Sequence, residues 1–97
     1  MKQDTFKTEM IFRKDKAGVF ALMPYDIATL EGHVTYYQHV GQHGSADYQG
    51  CMRKSVPTNV IEYLDLYNEL ESLGYNIKIV KRMNHDRYLT ELQKAKR

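Results

Sequence analysis

Residues 59–74 read NVIEYLDLYNELESLG, and this stretch decides the fold. Val60, Tyr63, Leu66, Tyr67, Leu70 and Leu73 recur at three- and four-residue spacing, which lines them along one side of an α-helix. Glu62, Asp65, Glu69 and Glu71 take the wet side. Asn59, three residues before Glu62, makes an asparagine-led capping box. Gly74 stands where a left-handed residue closes a helix. The spacing predicts a helix over 59–73 whose apolar stripe needs a partner surface.

The flanking sequence supplies a sheet. Residues 6–13 alternate, with Phe6, Thr8, Met10 and Phe12 on one face and Lys7, Glu9, Ile11 and Arg13 on the other, the period of a half-buried strand. Asp15-Lys16-Ala17-Gly18 has hairpin-turn chemistry. Residues 19–23 are apolar on both parities, so this second strand is expected to be covered on both sides. Pro24 ends it or marks an unpaired position. A third strand over 33–40 is dense in β-branched and aromatic residues. Val34, Tyr36 and Val40, with Gln38, suit the core, whereas His33, Thr35, Tyr37 and His39 form a polar-aromatic row. Residues 41–50 read as a loop with three glycines, and 51–56 as a short further strand.

Beyond the helix, 75–82 alternates again, with Tyr75, Ile77 and Ile79 inward and Val80 the exception. Asn84 or Asp86 caps a last helix carrying Tyr88, Leu89, Leu92 and Ala95 on one side. The expected fold is a single α+β domain over 1–97. Its mainly antiparallel sheet of four to five strands, in the order β-β-β-(β)-α-β-α, is packed on one face by the amphipathic helix, plus a C-terminal helix.

Composition narrows the class. Ninety-seven residues with 42% hydrophobic and 27% charged side chains describe an ordinary globular domain. No apolar run approaches the ~18 residues that span a bilayer. Charges by position 4 argue against a signal peptide, and one cysteine, Cys51, fits a reducing cytoplasm.

The segment from Tyr36 to Tyr48 stands apart: two aromatic ends, histidines 39 and 43, and glycines between. A metal site would use His39, His43, Asp47 and Cys51, spaced by four and chemically suited to zinc. Glycines 41, 44 and 50 interrupt the helix that would stack them, so neither a metal nor a cofactor is assigned. A thiol enzyme would centre on His39, His43 and Cys51, but the nucleophile–base contact cannot be read from spacing and no catalytic residue is assigned. Gly-Gln-His-Gly-Ser could cradle an anion, yet it lacks a Walker lysine. The plain alternative is a turn whose polar side chains satisfy loop backbone. The leading reading is a protein-binding surface. Tyr36, Tyr37 and Tyr48 would supply contact area and Gln42, His43 and Asp47 directional hydrogen bonds, with His39 and Ser45 in the same binding set. An exposed tyrosine face also suits a homodimer.

The run Tyr-Gln-His-Val-Gly-Gln-His-Gly-Ser-Ala-Asp-Tyr at 37–48, followed by the Glu/Leu/Tyr helix and Leu-Gly-Tyr at 73–75, resembles a group of small bacterial and phage or mobile-element proteins. The resemblance covers residues 36–82. It implies a bacterial or phage cytoplasmic setting, carries no activity, and transfers no functional residue.

Charge is uneven. Residues 75–97 hold seven Lys/Arg against two Asp/Glu within a chain of net charge +2. Nucleic-acid binding through Lys78, Arg82, Arg87 and Lys94 is therefore the alternative function. Against it stand the low net charge and the lack of any recognised nucleic-acid motif.

Overall fold

A computed structural model describes residues 7–38 and 42–96. Within them run β1 (Thr8–Asp15), β2 (Gly18–Ile27), β3 (Val34–Gln38), β4 (Gln42–Ala46), α1 (Tyr48–Lys54), β5 (Val56–Pro57), α2 (Val60–Ser72), β6 (Ile77–Ile79) and α3 (His85–Ala95). The α+β class holds: a mainly antiparallel sheet ordered β4-β3-β2-β1-β5, with β6 parallel to β1. Among the described residues no helix is long and apolar enough to cross a membrane.

Sheet pairing follows from the β1–β2 hairpin. Asp15 pairs with Gly18 across a two-residue turn, and the Ala17 N–H donates to Asp15 Oδ1 at 2.8 Å. Antiparallel alternation then turns the backbone groups of Ile11 and Arg13 toward β2 and those of Met10 and Lys14 toward the other edge. The Val80 N–H accordingly donates to the Met10 carbonyl at 2.9 Å. That edge is shared: β6 pairs with Thr8–Met10 and β5 with Arg13–Lys14, leaving Ile11 and Phe12 between them. Pro24 falls in the irregularity between Met23 and Ile27, where β2 and β3 lose register.

Helices cover both faces of the sheet, not one. Met10, Phe12, Ala21, Met23 and Tyr37 pack with Leu66 and Leu70 of α2 on the first face. Ile11, Phe20, Leu22 and Val34 pack on the second, where Cys51 and Met52 of α1 and Tyr88 of α3 close over them. The apolar residues on both parities of β1 and β2 make this two-sided burial obligatory, since either face left open would expose a contiguous apolar patch.

Helix α2 keeps its expected ends. Asn59 Oδ1 accepts from the Glu62 N–H at 3.1 Å. At the other end the Gly74 N–H donates to Glu71 O and the Tyr75 N–H to Leu70 O, with Gly74 at φ 104°. That is a Schellman closure, which a residue with a Cβ adopts only under strain. Tyr63, Leu66, Tyr67 and Leu70 face the sheet, but Val60 and Leu73, at the two ends of the stripe, stay exposed. Asn59→Ala should cost about 1 kcal/mol of stability, read from the urea midpoint.

Other expectations are revised. Residues 42–50 hold all of β4 and the start of α1 rather than a loop, and 51–56 hold the rest of α1 and the first residue of β5. Two contacts to other parts of the chain or its loop carry this: β4 pairs along β3, and Asp47 Oδ2 accepts from the Gly50 N–H as the N-cap of α1. The third strand spans only 34–38 within the described residues; Phe6, His39 and Val40 lie outside them. β6 is three residues long. Ile77 is buried, but Ile79, though paired with Met10, is exposed, and Val80 packs on the second face. In α3, Asn84 is the cap and Tyr88 and Leu92 are half-buried, while Leu89 is exposed.

Candidate functional site

The 36–48 segment folds as the β3–β4 hairpin plus the cap of α1, and this sorts its side chains. Tyr37 is fully buried in the first-face core, its ring edge-on to His43 with centroids 4.6 Å apart and its hydroxyl donating to Glu69. It cannot serve as contact area for a visitor, a correction that follows from α2 covering the row assigned to solvent. Tyr36 is half-buried against Phe20 on the second face and donates to Gln38 Oε1 at 2.9 Å. Burial, with Asp15 adding to it, pushes its phenol pKa up. Tyr48 is half-buried and its hydroxyl accepts from the Met83 N–H at 3.0 Å, tying α1 to the approach of α3. Asp47 is committed to its cap.

What remains outward is a strip of backbone. Among the described residues β4 is the end strand of the sheet, paired only with β3. Alternation carried across β2 and β3 turns the backbone groups of Gln42, Gly44 and Ala46 toward β3. Those of His43 and Ser45 point away from the sheet. His43, Gly44 and Ser45 are all exposed. The His43 imidazole folds back over the first face, Nε2 lying 2.9 Å from the Tyr75 hydroxyl. The strip contains no lysine, proline or bulge of the kind that normally blunts a sheet edge.

The spaced set of metal and thiol candidates does not converge. His43 leans on Tyr37 and Tyr75 of the first face, whereas Cys51 packs in the second-face cluster, so the sheet separates them. His39 lies outside the described residues. No group of three His, Cys, Asp or Glu able to hold a metal occurs among the described residues. Burial, then the nearby Asp47 and Asp15 carboxylates, raise the Cys51 pKa, the opposite direction to the shift that activates a thiol.

The four cations of the nucleic-acid reading divide in two. Arg87 pairs with Glu9 and lies over the Tyr25 ring at 3.9 Å, and Lys94 reaches Glu91 at 3.5 Å. Both therefore stand beside carboxylates. Lys78 is exposed on β6, and Arg82 lines a groove of about 910 Å³ at the β5/β6 edge. That groove, opposite β4 across the sheet, is missing from the sequence reading; its local sign is the pairing of apolar Ile79-Val80 with basic Lys81-Arg82.

Protein-family models, curated proteins and solved structures were compared with this chain, and none of them matches it.

Proposed function

We propose that this chain is a protein-recognition domain that captures an extended segment of its partner by strand addition along β4. The supporting observation is the open edge at His43–Ser45: exposed, uncharged at Gly44 and Ser45, and presenting outward backbone donors and acceptors. In this mode main-chain hydrogen bonds give affinity, and side chains flanking the edge give selectivity. His43, held by Tyr75 beside the strip, is the selecting side chain on the first face.

Proline at 45 provides the test. The Ser45 N–H points away from β3, so Ser45→Pro removes no β3–β4 bond, which is the placement edge strands tolerate. It does remove an outward donor and crowds an incoming strand. Peptides selected from a random-sequence library on the immobilised chain should bind Ser45→Pro at least about tenfold more weakly, the loss of one or two backbone hydrogen bonds. The melting curve should stay close to that of the parent chain. Binders indifferent to Ser45→Pro would count against strand addition.

A further inference from the structure

The groove at the β5/β6 edge carries a second inference, which does not rest on the β4 reading. It forms where Ile11 and Phe12 of β1 lie between the two short partner strands, and it is walled by α1, the start of α2 and the 80–85 connection. Its walls are largely apolar: Ile11, Met52, Val60, Tyr63, Val80 and Met83. Its charged lining is all of one sign. Arg13, Lys81 and Arg82 line it, and among the described residues no carboxylate does.

Arg13 is committed to Ser55 and to the Met52 carbonyl. Lys81 and Arg82 are exposed and make no hydrogen bond or ion pair among the described residues. Neither acidic helix start lines the groove: Glu62 of α2 is taken by Lys14 at 2.6 Å and by Thr58 at 2.8 Å, and Asp86 in the first turn of α3 is not among the lining residues.

We infer that this groove binds a small amphipathic organic anion, an apolar body seated on the half-buried Met52–Val80–Met83 wall with a single acidic head between Lys81 and Arg82. Apolar walls with a few convergent polar groups and a volume of roughly 300–1,000 Å³ are the usual build of a small-molecule site. An inorganic anion would gain nothing from the walls. A neutral apolar molecule would leave the cationic rim unanswered. A polyanion would need cations tracking its backbone, and here Arg87 and Lys94 are already paired with acids.

The test uses the full chain and three probes: 8-anilinonaphthalene-1-sulfonate, dodecanoate and dodecanol. The dye should bind at one site and be displaced by dodecanoate, with dodecanol at least about tenfold weaker. In methyl spectra of the parent chain, Met52 and Met83 should shift with added dye while the core residue Met23 stays. Lys81→Glu with Arg82→Glu should weaken dye and dodecanoate at least about tenfold. Lys96→Glu, about 16 Å along α3 from the groove at 1.5 Å per residue, should change them less than twofold.

Unshifted Met52 and Met83 signals would overturn the assignment even if the double variant failed to fold. So would dodecanol competing as well as dodecanoate, or affinity unmoved by the charge reversals. A twenty-nucleotide oligothymidine displacing the dye more tightly than dodecanoate would overturn it in favour of nucleic acid.

Discussion

Tyr37→Ala should lower the unfolding free energy by about 3–5 kcal/mol, as aromatic-to-alanine changes in cores do. The side chain is 0% exposed, among the largest of the fully buried ones, and sits on β3, between β2 and the end strand β4. Its removal forfeits apolar transfer energy and leaves a cavity beneath α2, which cannot collapse because Leu66 and Leu70 are fixed by their own helix. The hydroxyl bond to Glu69 disappears as well. Tyr37→Phe isolates that bond and should cost about 1–2 kcal/mol. Urea unfolding checks both, as a lower midpoint at unchanged slope. A loss below about 1.5 kcal/mol for Tyr37→Ala would mean that the residue is not in the core. Against a total stability of about 5–15 kcal/mol the expected loss is severe, so a failed interaction in this variant would report folding and not recognition.

Arg13→Met should cost about 1.5–3 kcal/mol, the range for hydrogen bonds made by a charged donor. The guanidinium donates from Nε to Ser55 Oγ at 2.8 Å, and from Nη2 to Ser55 O at 2.7 Å and Met52 O at 3.3 Å. Ser55 in turn donates to Cys51 O at 2.6 Å. This places a cation at the C-terminus of α1, where unpaired carbonyls and the helix dipole favour one. Seven residues with a glycine inside are too few to hold a helix alone, so α1 depends on this strand-borne cap. Its amides should lose exchange protection in Arg13→Met before those of α2 do. Arg13→Lys should restore little, because one ammonium cannot reproduce the forked geometry. Unchanged α1 protection would contradict the role assigned to Arg13.

Those two residues mark where legibility in the sequence ends. The α2 helix could be read because its signals are local: cap, stripe and terminal glycine lie within sixteen residues. The β1–β2 hairpin could be read from alternation and its turn. β4 and α1 could not, since Gly44 and Gly50 disfavour strand and helix in isolation. They are held by β3, by the Asp47 cap and by Arg13, forty residues away. The same gap misled the site. His43 and Cys51 are eight residues apart, yet a strand and a helix turn between them send their side chains to opposite faces. Double coverage of the sheet was foreshadowed by residues 19–23, and it is what drew Tyr37 out of the exposed row. The groove draws on β1, α1, β5, α2 and the 79–85 stretch, an assembly that no local pattern announces.

Residue-resolved amide exchange across β4, in the isolated chain at the lowest workable concentration, tests the open edge most directly. Slow exchange at Gly44 and Ala46 with fast exchange at His43 and Ser45 is the pattern expected of a strand bonded on one side only. Protection at 43 and 45 equal to that at 44 would show those amides already paired, leaving nowhere for a partner strand to add.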